Sequence, residues 1–204
     1  GGVGQVVGQI AKLRGCRVIG IAGVETKCTF VTETLGFDAC VSHLSESLAA
    51  DLMAACPDGA DVYFESVGGK VFDAVLPVLN DQARISLCGL ISQYGNDDLD
   101  TTFETWMAQG EAAFTRANIK AQRLSVGNFV QDYESQFLTE MGVWVRAGQI
   151  KYKEDLWSGL AQAPSAFRAM MAGRNFGKTL VGVGDDPTLD TMITARRAGT
   201  NILT

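Results

Sequence analysis

The sequence is poor in the residues that bind zinc. It has a single histidine, and its five cysteines form no C-x-x-C pair: Cys16, Cys28, Cys40, Cys56 and Cys88. A structural or catalytic zinc ion needs three or four such ligands converging on it, so we expect no bound metal. An odd number of scattered cysteines favours free thiols in a reducing compartment. We therefore expect a cytoplasmic protein, with Cys88 buried at the end of an apolar strand.

Long apolar runs and an excess of positive charge are also missing. No run approaches the roughly 18 apolar residues of a membrane span, and the basic-then-apolar pattern of a signal peptide is absent from the first residues. The net charge is −6 and the isoelectric point is about 4.8. An acidic chain is a poor ligand for nucleic acids or anionic membranes, so we predict neither as a partner. With 47% hydrophobic and 20% charged residues, the bulk of the chain is globular rather than disordered.

Strand-like and helix-like segments alternate along the chain. Apolar residues at positions 3, 6, 7, 10 and 11 predict a first helix, which ends near Gly15. Ser45 is placed to cap a third helix. Such alternation with short turns predicts an α/β fold, with a doubly wound, Rossmann-type parallel sheet over the first 90 residues. The predicted strands are 17–23, 39–41, 60–66, 83–89, 123–130, 150–155 and 178–184.

A glycine-rich turn opens the chain and leads directly into the first helix. Gly2 and Gly4 fit the first two positions of G-x-G-x-x-G, but the third falls on Val7. Glycines let a phosphate approach the backbone, and the amides at a helix N-terminus bind it. The strand that follows about 14 residues later supports a dinucleotide-binding unit.

The end of the next strand indicates which nicotinamide cofactor is used. An acidic residue there would bind the 2′-hydroxyl of NAD, but this strand ends at Gly23, with Lys27 four residues further on. A lysine near a helix start is a plausible partner for the 2′-phosphate of NADP. Glu25 leaves the other choice open, because it lies about 20 residues past the glycine turn, where an NAD-type acid is expected. We favour NADP(H).

Several longer stretches carry a family resemblance. They include "GGVGQVVGQIAKLRGCRVIGIAG", "DVYFESVGG", "RISLCGLISQYG" and "GRNFGKTLVGV". Over about residues 1–184 the sequence resembles the zinc-independent medium-chain dehydrogenase/reductases, in the group of leukotriene/prostaglandin reductases and curcumin reductases. Members of that group have a Rossmann-type nucleotide-binding domain and a separate catalytic domain, to which the chain returns at its end.

The resemblance also implies a set of cofactor-binding residues. Lys27 would bind the 2′-phosphate, and Asn175 would reach the cofactor from the returning segment. His43 stands where the family usually has tyrosine, and Ser66 where it often has asparagine; both are expected beside the cofactor. The proton donor of the group lies in the loosely aligned stretch 122–140, where Tyr133 is the nearest candidate. The pyrophosphate would lie on Gly1, Gly2, Val3 and Gly4, and the nicotinamide on Cys88, Gly89, Leu90, Ile91, Ser92 and Tyr94.

By the same resemblance, residues 1–149 form the nucleotide-binding domain, 150–184 the returning segment of the catalytic domain and 185–204 a tail. The family sheet has a further strand at its centre, before the glycine turn. We therefore expect this chain to be the C-terminal piece of a longer reductase, without that strand and without most of the catalytic domain. The resemblance also implies a possible homodimer.

The expected reaction is hydride transfer from NADPH to the β-carbon of a small-molecule enone, followed by protonation of the α-carbon. Two alternatives stay open. One is a zinc-dependent alcohol dehydrogenase of the same superfamily, with its ligands upstream. The other is a fragment that binds a nucleotide and catalyses nothing.

Overall fold

The structure, a computed structural model, describes residues 1–95 and 98–184. The predicted tail, 185–204, lies outside the described residues. The helices are α1 (Gly4–Leu13), α2 (Glu25–Thr29), α3 (Leu48–Ala55), α4 (Gly69–Val75), α5 (Leu99–Arg116), α6 (Gly127–Arg146) and α7 (Ala163–Met171). The strands are β1 (Ile19–Ala22), β2 (Ala39–Ser42), β3 (Ala60–Glu65), β4 (Leu79–Leu87), β5 (Lys120–Arg123), β6 (Glu154–Ser158) and β7 (Lys178–Gly182). Short 3₁₀ turns at Leu76–Val78, Ile91–Gln93 and Leu160–Gln162 and a π-helical turn at Phe30–Thr34 complete the elements.

All strand pairs in the described chain are parallel, which confirms the predicted α/β class. β1 pairs with β2, β4 lies between β3 and β5, and β6 pairs with β7. Among the described residues, β1 and β3 are not paired with each other. The interruption lies where the resemblance places the central strand of the family sheet.

The chain forms two compact units, which are described separately. The central unit consists of residues 18–29 and 38–134, and so contains β1 to β5. The terminal unit consists of residues 1–17, 30–37 and the chain from residue 135 onward, and so contains α1, α7, β6 and β7. The predicted domain division at residue 149 concerns the whole reductase and stays a prediction.

Aromatic stacking forms the centre of the central unit. Phe72 of α4 and Trp106 of α5 are fully buried, and their rings stack with centroids 4.6 Å apart. Phe114, two turns further along α5, approaches the Trp106 ring at 5.7 Å. Buried residues alternate along β4 at Ala83, Ile85 and Leu87, a pattern that turns one face of the sheet towards these helices.

The structure corrects the predicted strand at 123–130. β5 ends at Arg123, and α6 begins at Gly127. A strand exists only as far as its neighbour continues beside it. β4 ends at Leu87, whose carbonyl accepts the last ladder bond from the Leu124 amide. The following residues therefore have no strand partner and form a helix instead.

Three further predictions are wrong in detail. β6 begins at Glu154 rather than at residue 150, because side chains bind the backbone before it, as described below. Ser45 does not cap α3, which begins at Leu48; its hydroxyl instead donates to the Asp51 carboxylate at 2.6 Å. Cys88 is exposed rather than buried, because β4 has already ended and the chain turns away.

We predict that Phe72→Ala lowers the free energy of unfolding by about 3–5 kcal/mol, since it removes a fully buried ring and its stack on Trp106. Phe167→Ala is the matched control: this ring is 59% exposed on α7, so we expect a loss of no more than about 0.5 kcal/mol. Urea unfolding followed by circular dichroism measures both. Equal losses in the two variants would contradict the assigned core.

Candidate functional site

A buried carboxylate organises the carboxyl edge of the central sheet. Glu65, the last residue of β3, is fully buried. Its Oε1 accepts hydrogen bonds from the amides of Val67 at 2.6 Å and Gly68 at 3.0 Å. Its main-chain carbonyl accepts from the amides of Cys88 at 2.8 Å and Gly89 at 3.2 Å. The loops after β3 and β4 are therefore bound to the same residue.

The loop after β4 folds back over the loop after β3. The amide of Ile91 donates to the Ser66 carbonyl at 3.2 Å, and the amide of Ser92 donates to the Val67 carbonyl at 3.0 Å. Gly68 has φ +75°, and a Cβ there would lie 2.9 Å from a Leu90 methyl group. This approach requires glycine. The predicted nicotinamide residues, from Cys88 to Ser92, thus lie beside Ser66.

Tyr94 belongs to the same loop. Its hydroxyl lies 3.5 Å from the position that a Cβ on Gly89 would take, and its side chain is 56% exposed. The structure therefore gathers Ser66 and the predicted nicotinamide residues of segment 88–94 at one edge of the central unit.

A positively charged cluster lies at the end of β1. The His43 Nε2 atom is 3.2 Å from the position that a Cβ on Gly23 would take. Burial lowers the pKa of His43 below its usual 6.5, and the positive charges of Lys70 and then Lys27 lower it further. Gly23, Lys27, His43 and Lys70 therefore share one neighbourhood. Glu25 is the first residue of α2 and is exposed.

The glycine turn and Asn175 belong to the terminal unit. α1 begins at Gly4, and a Cβ on Gly1 or Gly4 would meet no atom within 4 Å, so a ligand can approach the turn there. The Asn175 side chain donates to the Gly177 carbonyl at 3.0 Å. Its neighbour Phe176 packs edge-on against Phe30, with ring centroids 5.2 Å apart.

Two buried glutamines attach α1 to the chain before β6. Gln9 makes two hydrogen bonds with the main chain of Lys151. Its Nε2 donates to the Lys151 carbonyl at 2.6 Å, and its Oε1 accepts from the Lys151 amide at 2.8 Å. In the same way, Gln5 Nε2 donates to the Lys153 carbonyl at 3.3 Å, and Gln5 Oε1 accepts from the Lys153 amide at 2.9 Å. The side-chain amides act here as a strand would, and we call this arrangement the glutamine clamp.

Tyr133 lies on α6 and is 56% exposed, with the Phe129 ring 6.2 Å away. Its assignment as proton donor stays a prediction. Sequence reasoning missed Lys70, Glu65 and the glutamine clamp. The sequence pattern could have indicated Lys70 as a phosphate-binding candidate, since it follows Gly68 and Gly69 at a helix start, much as Lys27 follows Gly23.

Among residues 1–95 and 98–184, no three histidine, cysteine, aspartate or glutamate side chains are grouped so as to hold a metal ion. In that part of the chain no helix combines the length and apolar character needed to cross a membrane.

The family description "Zinc-binding dehydrogenase" matches residues 2–141, more than half of the chain. The chain belongs to the medium-chain dehydrogenase/reductase family. The predicted resemblance to its curcumin and prostaglandin reductases is confirmed by two relatives, an Escherichia coli curcumin reductase and a Rattus norvegicus prostaglandin reductase 1, which are 45% and 36% identical.

Relatives from bacteria and plants support the family assignment. NADPH-dependent curcumin reductase of Escherichia coli is 45% identical over 192 residues, covering 91% of this chain and 54% of that protein. A tobacco (Nicotiana tabacum) 2-alkenal reductase, described as NADP(+)-dependent, is 38% identical over 188 residues. The match covers 90% of this chain and 52% of that protein. The chain thus spans about half the length of the curated relatives it matches.

A solved structure of the family matches the fold. CurA from Vibrio vulnificus, in complex with NADPH, aligns with a TM-score of 0.78 and 45% identity, over 90% of this chain and 54% of that one. The match confirms the Rossmann-type α/β fold predicted from the sequence.

The His43 environment predicts a pH dependence of stability. Because the folded pKa of His43 lies below 6.5, the unfolded state binds more protons than the folded state as the pH falls below 6.5. The contribution of neutral His43 to the free energy of unfolding is therefore present above pH 6.5 and is lost as the pH falls through the folded pKa. We expect the stability advantage of the wild type over His43→Gln to shrink between about pH 8 and about pH 5. Urea unfolding at several pH values measures it, and a constant difference would contradict the expectation.

Proposed function

We propose that the protein containing this chain is an NADPH-dependent oxidoreductase that reduces the C=C bond of α,β-unsaturated ketones and aldehydes. The observation that carries the cofactor choice is the pair of positive charges, Lys70 and Lys27, that act on His43 beside Gly23. An acidic side chain at that strand end would select NAD. The names of the relatives, curcumin reductase and 2-alkenal reductase, support the substrate class.

The residues present fit NADPH within each unit. In the terminal unit, the open N-terminus of α1 suits a pyrophosphate, since its first amides and the helix dipole favour an anion. In the central unit, the positive cluster suits the 2′-phosphate. NADPH, when bound, supplies the hydride.

The remaining residues orient the reactants. Segment 88–94, which Glu65 fixes through its carbonyl, would hold the nicotinamide ring and exclude water from one of its faces. Asn175 would donate a hydrogen bond to the cofactor, exchanging its present bond to Gly177. Tyr133 is our proposed proton donor to the substrate α-carbon. The whole reductase is further proposed to be a homodimer.

The cofactor preference is tested by Lys27→Ala. A charged hydrogen bond contributes about 1.5–3 kcal/mol, so we expect NADPH binding to weaken roughly ten- to a hundredfold, with NADH binding unchanged. Lys120→Ala, an exposed lysine on β5, is the charge-matched control and should change neither affinity. The readout is fluorescence titration with both cofactors. A wild type that binds NADH as tightly as NADPH would refute the assignment.

The reaction class is tested on the whole reductase. We expect NADPH consumption, followed by its absorbance, with an enone and none with the corresponding saturated ketone. Mass spectrometry should identify the saturated ketone as product. An allylic alcohol, or activity abolished by a zinc chelator, would favour the zinc-dependent alternative instead. We expect the 204-residue chain by itself, which spans about half the length of its curated relatives, to give no turnover.

A further inference from the structure

We propose that Lys178, the first residue of β7, is a cofactor-binding residue that neutralises the pyrophosphate of the nicotinamide cofactor at the glycine turn. The inference rests on the proposed function. It adds a positive charge to a part of the site for which the sequence offered only backbone amides.

The first observation is the contact between Lys178 and Gly2. A Cβ on Gly2 would lie 2.8 Å from Cδ of Lys178, 3.4 Å from its Cβ and 3.6 Å from its Cγ. The aliphatic stem therefore lies along the glycine, and only a residue without a side chain leaves room for it. Nζ is two bonds beyond Cδ, within about 2.5 Å of it at ordinary bond lengths. The ammonium group therefore lies close to the turn.

The second observation is that hydrogen bonds fix the position of Lys178. Gln5 Oε1 accepts from the Lys153 amide at 2.9 Å, and the Lys153 carbonyl accepts from the Lys178 amide at 2.8 Å. The Lys178 stem then covers Gly2, three residues before Gln5. These contacts form a closed ring within the terminal unit. The start of β7 is therefore held against the start of α1 by the glutamine clamp.

The electrostatics favour a phosphate ligand. The N-terminus of a helix carries about half a positive elementary charge, spread over its free amides. An ammonium group beside those amides adds a full charge, which forms charge-assisted hydrogen bonds with phosphate oxygens. Lys178 is exposed, so its charged end can reach a ligand without the cost of burying an ion.

The test uses two ligands that differ in the pyrophosphate. NADPH has it, whereas adenosine 2′-monophosphate has only the adenosine and the 2′-phosphate. Lys178→Met keeps the stem against Gly2 but removes the charge, and we expect about tenfold weaker binding of NADPH with no change for the monophosphate. Lys178→Arg should restore NADPH binding to within about twofold. Calorimetric titration of the whole reductase measures each affinity.

Two controls separate this role from others. Lys120→Met removes the same charge at an exposed site in the central unit and should leave both affinities unchanged. Lys27→Ala should weaken both ligands, because both carry the 2′-phosphate.

The outcomes are distinct. Unchanged NADPH binding by Lys178→Met, in a wild type that binds both ligands, overturns this inference and leaves the proposed function intact. Equal weakening of both ligands also overturns it, since a general loss of charge or of fold would produce that result. A whole reductase that binds neither ligand contradicts the proposed function, and this inference with it.

Discussion

The site in the central unit depends on the burial of the Glu65 carboxylate. A buried carboxylate needs hydrogen-bond donors, and the amides of Val67 and Gly68 both donate to its Oε1, whereas Oε2 is buried without a hydrogen-bond partner. The turn after β3 therefore has to close over the side chain. The Glu65 charge also acts on its neighbour Tyr63, whose pKa is raised first by burial and then by this carboxylate. One side chain thus sets both the shape and the electrostatics at the end of β3.

Elements with a local signal were predictable from the sequence. α1 was found because its apolar residues recur at helical spacing, and β2 because a short apolar run is bounded by polar residues. The glycine turn, the positive residue after Gly23 and the motif at 88–94 indicated the family, which the comparisons confirm. These features depend on neighbours within one or two turns of chain.

Features that depend on distant partners were not predictable. The end of β5 is set by the length of β4, and no pattern in residues 123–130 shows this. Gln5 and Lys153 are 148 positions apart, and Gln9 and Lys151 are 142 apart. A glutamine on a helix is normally predicted to lie at the surface. The burial of Gln5 and Gln9 against a distant backbone segment is therefore visible only in the structure. The exposure of Cys88 was missed for the same reason, because the turn that follows β4 is made by Glu65.

The glutamine clamp has a consequence for association between molecules. Backbone groups at the border of a sheet can pair with any extended chain, which makes such borders sites of aggregation. Beside β6 and β7, the amide and carbonyl of Lys151 and of Lys153 are already occupied by Gln9 and Gln5. These backbone groups just before β6 are therefore not available to a foreign strand, and two helix side chains rather than an additional strand occupy them.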